Sequence, residues 1–159
     1  MTHIAYIGLG ANLGDRQRTL RDAIDAINAL DNTRVTRISP FYRSAPIDAG
    51  GPDYINAVIQ VTTTTAPEPL LKQLQAIEHQ HGRQRPYKNA PRTLDLDILL
   101  VDDLRYDTPV LTLPHPRMHE RAFVLRPLAD IFPTCQLDQG SIQTLIRRCD
   151  DQAIERLKP

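Results

Sequence analysis

The chain contains no tryptophan and only two cysteines, Cys135 and Cys149. Two thiols without C-x-x-C spacing exclude a disulfide framework and a zinc ribbon, and they suit a reducing compartment, so a cytoplasmic protein is expected. Net charge is missing as well: 19 Lys and Arg balance 19 Asp and Glu, so no global field draws the chain to nucleic acid or to a membrane surface. Electrostatic recognition must then be local. No apolar run approaches the ~18 residues of a membrane span. The opening MTHIAYIGLG has neither the cationic region nor the long apolar core of a signal peptide.

Proline, by contrast, is plentiful at 13 residues, alongside 41% hydrophobic residues. That combination implies well-punctuated loops around a real core rather than disorder. A length of 159 residues suits one domain spanning 1–159.

Residues 82–100, GRQRPYKNAPRTLDLDILL, concentrate the chemistry. Arg83, Arg85, Lys88 and Arg92 lie in a Pro-interrupted loop with no acid among them, and LDLDILL then reads as a strand. Alternation sends Leu94, Leu96, Ile98 and Leu100 to one face and Asp95, Asp97 and Leu99 to the other. The two carboxylates are then about 6.7 Å apart at Cα, and they repel unless a cation or a set of donors sits between them. Guanidinium groups beside such a pair suit a magnesium-bound polyphosphate, with carboxylates on the metal and arginines on phosphate oxygens. A solvated strand end next to a solvated basic loop is the plainer alternative, and it is the adjacency of the two that favours a site.

Residues 3–9 read as a buried strand. Gly8, Gly10 and Gly14 miss the G-x-G-x-x-G spacing, with Leu13 where the third glycine belongs, so a dinucleotide fingerprint is rejected in favour of a tight turn lying against a ligand. Leu20, Ala23, Ile24, Ile27 and Leu30 predict an amphipathic helix over 15–30. Residues 34–42 read as a strand with a bulge or edge at Ser39-Pro40, and 44–53, rich in Gly and Pro, as a long loop and candidate lid. In YINAVIQVTT, Ile55, Ala57, Ile59 and Val61 face one way and Tyr54, Asn56, Val58 and Gln60 the other. A ring and a carboxamide two residues apart suit a flat heterocycle with an amide-like edge, although these residues alone favour a half-exposed sheet face.

Pro67 opens a second helix with Leu70, Leu71, Leu74 and Ile77 in its core stripe and Gln75 and Glu78 on the flank toward the basic loop. His79 and His81 miss the i, i+4 spacing of a helical metal pair and read as solvated. A hairpin arm is expected over 105–113, around Pro109. LPHPRMHERAF then holds His115 rigidly between two prolines, with Arg121 nearby as a further phosphate-competent cation. The tail from Val124 reads as packing only. The element order implies an α+β, ferredoxin-like fold, a four-stranded antiparallel sheet (βαββαβ) with both helices on one face, plus a C-terminal hairpin and short helices. The other face is left for Asp95, Asp97, Tyr54 and Asn56.

With YIGLGANLG, FYRSAPI, PDYINA, the G-R-x-R of residues 82–85, PRTLDLDILL and LPHPRMHERAF in place, the chain resembles the 6-hydroxymethyl-7,8-dihydropterin pyrophosphokinases along nearly its whole length. The resemblance implies transfer of diphosphate from ATP to the hydroxymethyl oxygen of the pterin, with release of AMP, in folate biosynthesis, on a ferredoxin-like domain with three mobile loops. It implies that Asp95 and Asp97 hold two Mg2+ ions and that Arg83 and Arg92 grip phosphates, assisted by Arg85, His115 and Arg121. It further implies that Gln75, Glu78, Ile98 and Thr112 line the nucleotide end. The pterin would lie between Tyr54 and Phe123, bonded by Asn56 and by backbone of Ser44, Ala45 and Ile47, with Asp95 also beside it. The partners expected are these two small substrates, with no nucleic acid and no membrane, and a monomer.

The chain departs from the family pattern where many relatives carry a Trp two places before the Pro of PRTLDLD. Asn89 stands there, the loop is a residue shorter, and Tyr87 is the nearest ring, which implies a looser lid. Val110 and Pro116 stand where some members have Arg and Tyr. Two other classes share the expected topology: a ligand-sensing module, which needs no same-face carboxylates beside a phosphate-ready loop, and an RNA-binding sheet, which needs a Gly-aromatic core these strands lack.

Overall fold

The computed structural model describes residues 1–46, 52–81 and 94–158. In chain order its strands are β1 His3–Ala11, β2 Thr33–Ile38, β3 Tyr42–Ser44, β4 Tyr54–Thr63, β5 Asp95–Val101, β6 Tyr106–Asp107, β7 Thr112–Leu113, β8 Gln136–Leu137, β9 Gly140–Ser141 and β10 Ile154–Arg156. The helices are α1 Arg16–Asn28, α2 Pro67–Gln80, α3 Ala122–Ile131 and α4 Ile142–Arg148. The main sheet runs β10-β3-β4-β1-β5, with β2 also paired to β4, and every pairing is antiparallel.

The expectation of four strands is therefore corrected to six. The strand expected over 34–42 is interrupted at Ser39-Pro40-Phe41, because Pro40 has no N–H to give the ladder. Ser39 bridges the break: its N–H donates to the Val58 carbonyl and its hydroxyl accepts from the Val58 N–H, each at 2.9 Å. β2 and β3 thus lie along successive parts of the same edge of β4. The sixth strand, β10, comes from the tail and pairs with β3, so the tail does more than pack.

Period and composition explain the helix side of the sheet. In α1, Leu20, Ala23, Ile24 and Ile27 are buried, and the Asp15 carboxylate caps the helix by accepting from the Arg18 N–H. In α2, Pro67 occupies the first turn, where its missing N–H costs nothing, and Leu70, Leu74 and Ile77 are buried. Both stripes meet Ala5, Ile7, Leu9 and Ala11 of β1, Ile55, Ala57, Ile59 and Val61 of β4, and Leu94, Leu96 and Ile98 at β5 in one core. Each such Leu or Ile contributes roughly 1.5–3 kcal/mol of transfer free energy.

The opposite face is not left open along its length. Helix α3, with α4 behind it, packs over Tyr6, Val58, Leu99 and Leu100 to form a second core. Here the alternation expected of β5 is corrected. Ile7 pairs with Ile98 and Tyr6 with Leu100, so Leu99 is an extra residue, a bulge that brings Leu99 and Leu100 into the same α3-side core and returns Val101 to the helix side. Among the described residues, the end of this face that carries Asp95 and Asp97 lines a cavity.

Candidate active site

A cavity of about 530 Å³ lies between the uncovered end of the sheet and the start of α3. Its floor is built by β1, and the glycines decide its shape. Gly8 lies in the strand expected over 3–9, and that strand runs on through Gly10 to Ala11, so Gly10 is not in the turn, which holds Gly14 at φ +65°. Across the sheet Gly10 stands between Asn56 and Asp95, and Gly8 between Val58 and Asp97. With strands spaced about 4.8 Å apart, the backbones of Asn56 and Asp95 are about 10 Å apart across Gly10, which adds no side chain of its own to the trough between them. That width admits a flat ring system.

One wall carries hydrogen-bonding groups. Asn56 is buried, and its Oδ1 accepts from the Ser44 hydroxyl at 2.6 Å. Its Nδ2 lies over Gly10, where an added Cβ would come within 3.2 Å. Tyr54, Ala45 and Pro46 complete this wall. The opposite wall is the residue pair Asp95 and Asp97, both projecting into the cavity. Period 2 places them side by side, and β5 is anchored at its start by Glu78, a buried carboxylate of α2 that accepts from the Leu96 N–H at 2.8 Å.

The roof comes from the segment before α3. Arg117, Glu120 and Arg121 line it, followed by Phe123 and Val124, with Gln152 behind. The Arg121 guanidinium stands 5.5 Å from the centroid of the Phe123 ring, a cation–π contact. His115 sits beside this group. Its backbone N–H donates to the Leu99 carbonyl at 2.9 Å, and its Nδ1 accepts from the Arg117 N–H at 3.1 Å, so the neutral ring carries its proton on Nε2. Burial, then the charges of Arg121 and Arg117, hold its pKa below the ordinary histidine value, while Asp97 pulls the other way.

Among the sequence-selected residues, the cavity unites Ser44, Ala45, Tyr54, Asn56, Asp95, Asp97, Arg121 and Phe123. Gln75 is exposed on α2, Ile98 is buried in the helix-side core and Thr112 lies in the β6–β7 hairpin, none of them on the cavity wall. Ile47, Arg83, Arg85 and Arg92, together with Tyr87 and Asn89, lie outside the described residues. The glycine-rich stretch expected to lie against a ligand does line the cavity through Gly8 and Gly10, from within the strand. Sequence reading missed Arg117, Glu120 and Gln152, and nothing local marks Gln152.

The carboxylate pair fits magnesium. Among the described residues no group of three or more His, Cys, Asp and Glu gathers for a metal, and Mg2+ commonly takes one or two carboxylates, completing its octahedron with water and phosphate oxygens. No helix among the described residues is long and apolar enough to cross a membrane.

Comparison with known proteins gives a consistent picture. The family model described as 7,8-dihydro-6-hydroxymethylpterin-pyrophosphokinase (HPPK) matches residues 6–133. A 2-amino-4-hydroxy-6-hydroxymethyldihydropteridine pyrophosphokinase from Pseudomonas aeruginosa is 43% identical over 159 residues, covering 99% of this chain and 98% of that protein. Its Bacillus subtilis namesake is 39% identical over 145 residues, covering 91% and 87%. Among solved structures, Plasmodium falciparum HPPK-DHPS with pteroate matches with a TM-score of 0.73 at 15% identity, over 93% of this chain and 42% of that one. At that identity the likeness concerns the fold alone, and the chain spans less than half the length of such solved chains.

Proposed function

The chain belongs to the 7,8-dihydro-6-hydroxymethylpterin-pyrophosphokinase family, and from that membership and the geometry of the cavity we propose how its residues divide the work. The reaction is transfer of diphosphate from ATP to 6-hydroxymethyl-7,8-dihydropterin in folate biosynthesis. The hydroxymethyl oxygen bonds to the β-phosphorus and gives up its proton to solvent, while that phosphorus parts from the α,β-bridging oxygen, which leaves on AMP. Such a displacement depends on alignment and charge neutralisation more than on a strong base.

The pterin lies in the trough over Gly8 and Gly10, its ring between Tyr54 and Phe123. Its amide edge meets Asn56, whose orientation Ser44 fixes, with backbone of Ala45 beside that edge, and Ile47 assigned to it from sequence pattern alone. Asp95 and Asp97 hold two Mg2+ ions, which when bound neutralise the triphosphate. Arg121 faces the phosphates with His115 next to it, and from sequence pattern Arg83, Arg85 and Arg92 join them. From sequence pattern, Gln75, Glu78, Ile98 and Thr112 are assigned to the nucleotide end. We read the sheet as ferredoxin-like, with β2 and β3 as one interrupted strand, and the chain as a single cytoplasmic domain acting as a monomer.

One observation carries this reading: the acids of β5 project into the same cavity as Tyr54 and Asn56. Incubation with ATP, Mg2+ and the hydroxymethyl dihydropterin should yield one AMP per pterin consumed. ADP as product would instead indicate an ordinary kinase, and binding without turnover a sensing module. Asp97→Ala should abolish turnover and leave folding intact, because this exposed strand-end acid adds nothing to either core.

A further inference from the structure

The start of α3 lacks the usual cap. Arg121 occupies the cap position and makes no side-chain capping bond, so the Ala122 N–H is one of the first-turn donors without an acceptor inside its own helix. The acceptor comes from 30 residues away in the chain. Oε1 of Gln152 accepts from the Ala122 N–H at 2.9 Å, and Nε2 of the same amide donates to the Glu120 carbonyl at 2.7 Å. Gln152 is itself held by its own N–H, which donates to the Cys149 carbonyl at 3.0 Å. A carboxamide is suited to this task because it is uncharged and offers a donor and an acceptor in one plane.

The two backbone groups it grips lie on either side of Arg121. With both flanking peptides fixed, and the Arg121 carbonyl accepting from the N–H groups of Val124 and Leu125 at 3.0 Å each, little backbone freedom is left at this residue. From this anchored backbone its guanidinium stands over the Phe123 ring, at the roof of the cavity that Gln152 also lines.

We propose that Gln152 is a positioning residue for the diphosphoryl transfer: its amide clamps the peptide groups flanking Arg121 and so sets Arg121 over the phosphates. The inference rests on the reading of Arg121 as a phosphate contact. A guanidinium displaced by about 1 Å weakens the transition state more than the bound substrates, so the loss falls on kcat before KM.

The test is a double-mutant cycle in steady state with Mg2+, ATP and the hydroxymethyl dihydropterin, using wild type, Gln152→Met, Arg121→Ala and the double variant. Gln152→Met keeps the chain length and loses both bonds. It should lower kcat between about 10- and 100-fold, with a smaller change in either KM, and the double variant should be no slower than Arg121→Ala alone. Gln143→Ala, which removes an amide bond from α4 to the Pro133 carbonyl, serves as the control for a merely structural loss and should leave kcat unchanged. Gln152→Glu keeps the acceptor for Ala122 but repels the Glu120 carbonyl, and should fall between wild type and Gln152→Met. Losses that multiply in the double variant, or an unchanged kcat in both single Gln152 variants, would overturn the inference while leaving the function intact. A wild-type chain that makes no AMP would overturn both.

Discussion

The Ser44 hydroxyl donates to Oδ1 of Asn56 at 2.6 Å, with both side chains buried at the edge of the cavity. Since β3 and β4 pair Tyr42 with Asn56 and Ser44 with Tyr54, the sheet register itself sets this contact. Ser44→Ala should leave a buried carbonyl oxygen unpaired, a cost of roughly 1–3 kcal/mol, and let the amide turn. The expected result is a pterin KM raised about tenfold with kcat nearly unchanged, and recovery in Ser44→Thr. A pterin KM equal to wild type in Ser44→Ala would show that Asn56 needs no such partner.

Gly10 and Gly14 separate binding from backbone strain. A methyl group at Gly10 would stand 3.2 Å from Asn56 Nδ2 and 3.6 Å from Tyr54 Cδ1, on the floor of the trough. At Gly14, φ is +65° and nothing lies within 4 Å, so a methyl group there costs backbone energy alone, about 1–2 kcal/mol. Gly10→Ala should therefore weaken pterin binding at least tenfold with little change in unfolding midpoint. Gly14→Ala should do the reverse. Isothermal titration with the pterin and urea unfolding of both variants decide it, and the same ranking in both measurements would refute the trough.

Asp95 and Asp97 are expected to act on the metal requirement rather than on folding. Asp97→Asn should raise the Mg2+ concentration needed for half-maximal turnover several-fold, and without metal it should be no less stable, because one of two like charges on the same strand face has been removed. A magnesium titration of turnover, paired with thermal melts in chelator, reads both effects. A clear drop in the chelator melting temperature would mean that this carboxylate is structural.

The parts of the molecule that were legible in its sequence are those whose signal is local. The buried positions of α1 and α2 follow a 3.6-residue period, and the alternation of β4 and of Asp95 with Asp97 follows from period 2. The bulge at Leu99 was not legible, because pairing with Tyr6 and Ile7 of β1 creates it. Gly10 read as part of a turn because glycine is a poor strand former, and only its neighbours Asn56 and Asp95 reveal what the gap is for. β10 is a strand by virtue of β3, since Ile154, Glu155 and Arg156 carry no periodic apolar pattern. Gln152, just before it, was invisible for the same reason.

Tyr42 ties this late strand to the cavity wall. Its ring is buried, its hydroxyl donates to the Asp130 carboxylate of α3, and the Arg126 guanidinium lies 5.5 Å from the ring centroid. Burial first, then the hydrogen bond to Asp130 and its charge, push the phenol from 10.0 up to about 12, against the weaker opposing pull of Arg126 and Arg156. Because the folded value is the higher one, this contribution to stability is complete below pH 10, where both states hold the proton. It is lost as pH rises from 10 to about 12, where the unfolded chain ionises first. Tyr42→Phe should be less stable than wild type by about 1–2 kcal/mol at pH 8, and the gap should close as pH rises through that window. Urea midpoints of the two proteins at pH 8, 10 and 11 measure it. A gap that stays constant to pH 11 would mean that the phenol's proton is not what joins β3 to α3.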